Sequence, residues 1–199
     1  VTGTAVPWWA RVSSLLAPVL LIGGWTLAAA LQPGGFDSWE RTISELAALD
    51  AHARGVMTAA LAGTGVCHLV TSLGLRPAAR AGRLLLAGGG LATLLVAAFP
   101  LPAGGGSSSA HRVVAFLAFV LLTVWAPFAG VEDADAPWGL RRRVALVAGA
   151  LLGLLTLWFF VFLVAGAADV GLAERCAAGA QALWPAIVVA SVPQAVRAP

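Results

Sequence analysis

Four of the chain's nine carboxylates, Asp37, Glu40, Glu45 and Asp50, fall within residues 36–50, between two long apolar runs. In a chain that is 60% hydrophobic and 11% charged, that concentration marks a place where proton chemistry can happen. Burial penalises the charged form of a carboxyl, so an acid shut away from water keeps its proton. Such an acid can protonate an alkene or epoxide. The resulting cation is best held by aromatic faces, worth about 0.5–2 kcal/mol each when desolvated. Glu45 is the candidate acid, with Asp37, Asp169 or Glu174 as partners and His111 as a proton relay beside them. Phe36, Trp39, Ser44, Trp125, Trp158, Phe162 and Trp184 are the candidate pocket-lining residues.

Each of these residues has a plainer reading. Eight Trp with no Tyr suits an aromatic belt at the lipid boundary, and Trp8, Trp9 and Trp138 are placed for one. Trp125 and Trp158 lie well inside their apolar runs and fit a belt less well. His111 can be an ordinary polar residue at a helix end. His68 lies within an apolar run, where an ionisable group is functional by default, or it is a neutral ring bonded to a backbone carbonyl.

The elements that must position these groups begin with residues 36–50 themselves. Asp37 is a good N-cap, and Glu40 three residues later completes a capping-box-like pair. Trp39, Ile43 and Leu46 recur at i, i+4 and i+7 as an apolar stripe. Arg41 and Glu45 are spaced for an i,i+4 contact. The stretch therefore reads as a short amphipathic helix. It either lies on the membrane surface or tips inward to cap a cavity between helices.

The rest of the chain reads as membrane. A mean hydropathy of +0.91 over 199 residues leaves too little charge to cover a soluble domain. Spans are expected at about 12–31, 53–74, 84–100, 111–130, 144–166 and 172–192, each near the 20 residues that cross a bilayer. The expected fold is all-α, a six-transmembrane-helix bundle forming one domain over residues 1–199. Pro33-Gly34-Gly35 is a turn signal, and the Gly/Ser run at 101–109 reads as a flexible connector. Ala28-Ala29-Ala30 resembles a signal-peptidase site, so a cleaved leader competes with a first span. All twelve cationic residues are Arg, which with the Ala, Leu, Gly and Val content points to a high-GC bacterial source; Val1 reads as a literally translated GTG start.

Six crossings put the Arg clusters at 76–83 and 141–143, with Arg11 and Arg197, at one end. The positive-inside rule then places both termini in the cytoplasm of a multi-pass inner-membrane protein. Asp37, Glu40, Glu45, Asp50, Asp169 and Glu174, with His52 and His111, fall at the other end. The net charge of +3 describes basic loops facing anionic lipid rather than a nucleic-acid surface. Cys67 and Cys176 lie in different apolar runs and suggest no disulfide.

Several motifs in fixed order resemble a widespread family of small six-helix bacterial membrane proteins with no assigned function. These are Thr42-Ile43-Ser44-Glu45-Leu46 after a first span and a Pro-Gly turn, Phe99-Pro100 closing the third span, and His111 opening the fourth. Gly171-Leu172-Ala173-Glu174-Arg175 through Gln181-Ala182-Leu183-Trp184 continues the match. Ala47 stands where that family usually has Gly. A weaker resemblance, resting on size, span number and outer carboxylates, is to bacterial integral-membrane terpene cyclases.

That second resemblance implies an acid-initiated cyclisation of a prenylated lipophilic molecule. Other chemistries lack their residues. Asp-Asp-x-x-Asp is absent, no His-x-x-x-His spacing suggests a metal, and no Gly-x-Ser-x-Gly suggests a hydrolase. His68 and His111 are expected near opposite faces, unsuited to haem. No metal or other cofactor is therefore expected. The alternative is a non-catalytic membrane protein, such as a small transporter or accessory subunit, with a proton-coupled carboxylate. A transporter calls for paired broken helices, for which only Gly88-Gly89-Gly90 and Trp184-Pro185 are candidates.

Overall fold

The computed structural model describes residues 5–193 and, among them, is built from six α-helices. These are α1 (Trp8–Ala30), α2 (Arg54–Gly74), α3 (Arg80–Ala98), α4 (Ser109–Ala129), α5 (Arg142–Ala165) and α6 (Val170–Ser191). Ser108 caps α4 by accepting the His111 N–H at 3.1 Å, which satisfies one of the free donors of its first turn. Gly166, at φ 63°, ends α5 in the left-handed conformation that glycine adopts without strain.

Five of the helices, α1 to α5, are long and apolar enough to cross a membrane, and the chain is a membrane protein. The sixth matches them in length but carries Glu174 and Arg175 near its start and Gln181 at its middle. Each helix packs on its sequence neighbours and α6 returns to α1, closing a ring of six. The outward face of α5 is uniformly greasy, with Val147, Leu151, Leu154, Leu157, Val161 and Val164 all exposed. A water-facing surface would not tolerate that face; lipid does.

Two ends of the ring are distinguished by contacts. At one end Arg11 donates to the carbonyls of Val189 (3.4 Å) and Val192 (2.9 Å), so α1 starts where α6 finishes. The segment after α2 and the end of α4 meet there too, through Ala79 N–H and Ala129 O at 3.1 Å. At the opposite end the loop after α1 meets the connector between α3 and α4, through Leu49 N–H to Leu101 O at 3.0 Å. It also meets the start of α6, through Leu172 N–H to Trp39 O at 3.0 Å. The first end carries Arg76, Arg80, Arg83 and Arg141–Arg143; the second gathers most of the carboxylates.

Backbones approach closely where glycine allows it. A Cβ on Gly65 would sit 2.6 Å from the Gly90 carbonyl oxygen, and one on Gly90 would sit 2.7 Å from that of Gly65. This pair lets α2 and α3 touch main chain to main chain, as small residues do between membrane helices. Neither α3 at Gly88-Gly89-Gly90 nor α6 at Pro185 is interrupted. The hints of broken helices in the sequence therefore correspond to continuous ones.

The outer helix is much shorter than the stripe of Trp39, Ile43 and Leu46 suggests. Residues 37–41 form turns, and only Ser44–Ala47 make a single 3-10 turn. Asp37 caps a turn rather than a helix, accepting the N–H groups of Trp39 (2.8 Å) and Glu40 (3.3 Å). The reciprocal pair expected of Asp37 and Glu40 is made instead by Thr42 and Glu45. Glu45 accepts the Thr42 N–H at 2.9 Å, and Thr42 Oγ1 accepts the Glu45 N–H at 3.4 Å. Ile43, Leu46 and Ala47 are buried, whereas Trp39 is 62% exposed. The loop is thus tucked into the mouth of the bundle by one apolar turn.

Candidate functional site

The loop is held down by the first two turns of α6. Gly171 makes that approach possible: a Cβ there would lie 2.3 Å from Arg41 O and 2.8 Å from both Ser38 O and Trp39 O. Arg175 Nη1 donates to Ser38 O (2.7 Å), Arg41 O (2.8 Å) and Gly171 O (2.9 Å). Phe36 lies under two guanidinium groups, Arg41 at 4.4 Å and Arg175 at 5.8 Å from its ring centroid. Glu174 accepts the Ile43 N–H and is buried. Backbone carbonyls of the loop point to Arg175, and a backbone N–H points to its neighbour Glu174.

Two cavities meet at Glu174. The larger, about 880 Å³, opens at the loop end between α4, α5 and the loop. Its rim is polar, with Gln32, Arg41, Glu45, Asp50 and Arg112. Its wall is aromatic, with Phe116, Phe119, Phe159 and Phe160. These rings form one cluster: Phe119–Phe159 centroids are 4.8 Å apart, Phe159–Phe160 5.3 Å and Phe116–Phe160 5.5 Å. The smaller cavity, about 60 Å³, lies deeper and is lined by Thr64, His68, Thr93 and Gln181 among apolar side chains. Ser44, Ala115, Phe119 and Glu174 belong to both.

Glu45 is on the wall of the larger cavity but fully engaged. It meets Arg41 Nε at 2.8 Å, Thr42 N–H at 2.9 Å and Thr42 Oγ1 at 3.1 Å, with a third of its side chain exposed. His111 is buried on the same wall, its Nδ1 2.8 Å from the Phe99 carbonyl oxygen. A carbonyl only accepts, so Nδ1 carries the hydrogen, and in the neutral ring Nε2 is left with the lone pair. The Phe-Pro pair and the His of the sequence motif are thereby joined. Asp50 reaches the connector, accepting the Gly104 N–H at 2.8 Å, so the Gly/Ser run is tied to the loop.

Other residues singled out in the sequence lie elsewhere. Asp37 and Asp169 are exposed and outside both cavity walls. Phe36 and Trp39 belong to the docked loop rather than the walls. Trp125 is completely buried in the core at the arginine end, with Leu86, Leu122 and Val188. Trp184 packs against that same core. Trp158 and Phe162 meet edge-on at 5.7 Å on α5, beside Phe159. Ser44 does line the site. Among the described residues, no three His, Cys, Asp or Glu side chains are grouped so as to hold a metal ion.

Residues the sequence does not single out matter as much. Phe116, Phe119, Phe159 and Phe160 resemble any lipid-facing phenylalanine until α4 and α5 are placed side by side. Gln181 is signalled only as a lone amide in an apolar helix. It donates through Nε2 to Phe119 O (2.9 Å), Thr123 Oγ1 (2.9 Å) and Thr156 Oγ1 (3.0 Å), tying α6 to α4 and α5 behind the aromatic wall. Gln181→Leu is expected to cost about 1–2 kcal/mol, the upper part of what interhelical hydrogen bonds contribute in membranes. Thermal unfolding in detergent, compared with the wild type, checks this.

The sequence profile of a family described as "Protein of unknown function (DUF998)" matches residues 15–191. No curated protein matches the chain, and no solved structure does.

Proposed function

The chain belongs to the DUF998 family, which brings no activity with it, and from the site alone we propose that it is a membrane enzyme cyclising a prenylated lipophilic substrate by protonation. The observation that carries this reading is a buried carboxyl, Glu174, on the same cavity wall as four clustered phenylalanines. A cavity of about 880 Å³ is in the range that takes a drug-sized ligand. The polar rim suits an aromatic or other polar head, and the phenylalanine wall suits the prenyl chain.

Glu174 is the better acid of the two glutamates. Three donor contacts, one of them ionic, commit Glu45 to shaping the loop. Glu174 is buried and accepts one backbone N–H, from Ile43. Its proton passes to an alkene carbon, the new cation travels along the phenylalanine faces, and His111 Nε2 takes a proton at the far end. One proton enters the substrate and one leaves, so substrate and product have equal mass. Membranes containing the protein should convert a geranylated or farnesylated aromatic acceptor to a cyclic isomer, and added chelator should leave the rate unchanged. Strict magnesium dependence, or loss of diphosphate from the substrate, contradicts the scheme.

The Ile43 N–H bond to Glu174 favours a second reading, in which that carboxyl is only a latch for the loop and the protein is a non-catalytic membrane component. Charge-neutral substitution separates the two readings.

For orientation, the arginine end is assigned to the cytoplasm of the bacterial cell membrane, with six crossings and the cavity opening at the outer face. In a Cys67→Ala/Cys176→Ala background, a cysteine at Gly105 should react with an impermeant thiol reagent from outside intact cells. A cysteine at Arg80 should not. The reverse pattern inverts the orientation.

A further inference from the structure

The smaller cavity contains a second ionisable group, His68. His68 is 1% exposed, lines that cavity, and neither ring nitrogen has a hydrogen-bond partner among the protein's groups. Buried polar atoms are nearly always paired, and a lone one needs a cause. The neighbouring hydroxyls have no proton to give the imidazole lone pair, because theirs go to backbone: Thr64 Oγ1 donates to Ala60 O at 2.8 Å, and Thr93 Oγ1 donates to Gly89 O at 2.9 Å. Their remaining lone pairs are acceptors. Gln181 likewise spends its NH₂ on α4 and α5 and keeps an amide oxygen as an acceptor. The chamber thus presents hydroxyl and amide acceptors, an imidazole and the Glu174 carboxyl. Space of about 60 Å³ admits a few waters at the roughly 10–15 Å³ each needs, and a water needs two to four polar partners.

We propose that this inner chamber is a site for ordered water that bridges His68 to Glu174, making His68 a positioning residue for the acid. The inference rests on Glu174 being the proton donor. When Glu174 gives up its proton, a carboxylate is left beside a growing cation. A hydrogen-bonded chain ending on the His68 N–H stabilises that anion from the side facing away from the substrate. Charge is then separated across the carboxyl instead of collapsing at the outer cavity. No proton need leave His68, and no co-reactant is involved.

The test reads Glu174 directly, with the full-length protein in lipid nanodiscs. The infrared carbonyl stretch of a protonated carboxyl is assigned to Glu174 by its loss in Glu174→Gln. In His68→Phe, whose ring fills the chamber without a donor, that band should move, as the signature of a lost hydrogen bond. In His68→Gln, which keeps an N–H, it should stay near the wild-type position. With a substrate that turns over, kcat should fall about tenfold in His68→Phe with KM unchanged, and recover in His68→Gln. Should His68→Phe not accumulate in membranes, Thr64→Val/Thr93→Val, which removes two chamber hydroxyls at nearly constant volume, should move the same band. A band unmoved in the chamber variants, or no Glu174 band in the wild type, overturns the water bridge. Because the infrared measurement needs no turnover, it stands even if no prenylated substrate reacts; a moved band without turnover keeps the bridge and removes the cyclase.

Discussion

Glu174→Gln is expected to lower turnover of a prenylated acceptor by about 10²–10⁴-fold, the usual contribution of a positioned general acid, while the protein stays folded in the membrane. Glutamine preserves shape, and its amide oxygen can still accept the Ile43 N–H that Glu174 accepts. What it cannot do is give a proton to carbon. Glu45→Gln should cost much less. It weakens a half-exposed pair with Arg41, worth up to about 1 kcal/mol, and leaves the Thr42 contacts partly in place. Rates in isolated membranes, normalised to protein by immunoblot, check both. Loss of the Glu174→Gln protein from the membrane supports the latch reading. Abolition by Glu45→Gln alone moves the acid to the loop.

Gly171→Ala is expected to have a large structural effect for a single methyl group. Its Cβ would be forced within 2.3 Å of Arg41 O and 2.8 Å of two further carbonyls. All three are backbone atoms, so no side chain can swing aside. The loop must lift, weakening the bond from Leu172 N–H to Trp39 O and the Arg175 contacts with Ser38 and Arg41. Overpacking of this kind costs about 1–3 kcal/mol. It should lower Tm in detergent and expose the loop to limited proteolysis between residues 36 and 50. An unchanged melting curve and cleavage pattern would show that the loop does not depend on this contact.

The helices were the most legible part of the chain, because 20-residue apolar runs separated by Gly, Pro and Arg admit few other interpretations. Their alternation also brought the carboxylate-rich loop, the 101–109 connector and the start of α6 to one end. What the residues 36–50 do was only half visible. Trp39, Ile43 and Leu46 have helical spacing, but the loop's backbone groups bond to α6 and to the connector, and only Ser44–Ala47 form a 3-10 turn. A local period says nothing of such contacts. The Thr42–Glu45 pair carries the same capping pattern one turn later, where it is used.

The difference in burial between two glutamates was not legible at all. Glu45 stands among the clustered carboxylates of residues 36–50, and Glu174 is an isolated carboxylate near the head of a helix beside Arg175. Their difference comes from α6 packing its first turns under the loop, a contact between residues more than 120 apart. Tryptophan misled in the same way. Trp125 lies inside an apolar run, as a cavity wall would require, yet it is close to the arginine end of α4 and packs into the core there. Side-chain type marks what a residue can do, and tertiary packing decides whether it meets a partner.

In the proposed cyclisation, proton delivery from the protein to a substrate carbon is the central step, and deuterium oxide tests it most directly. Membranes equilibrated in deuterium oxide should yield a cyclic product one mass unit heavier than the substrate, with the single deuterium on the carbon that accepted the proton. Glu174→Gln membranes should yield none. A cyclic product with no deuterium, or equal labelled product from Glu174→Gln, contradicts acid initiation at Glu174.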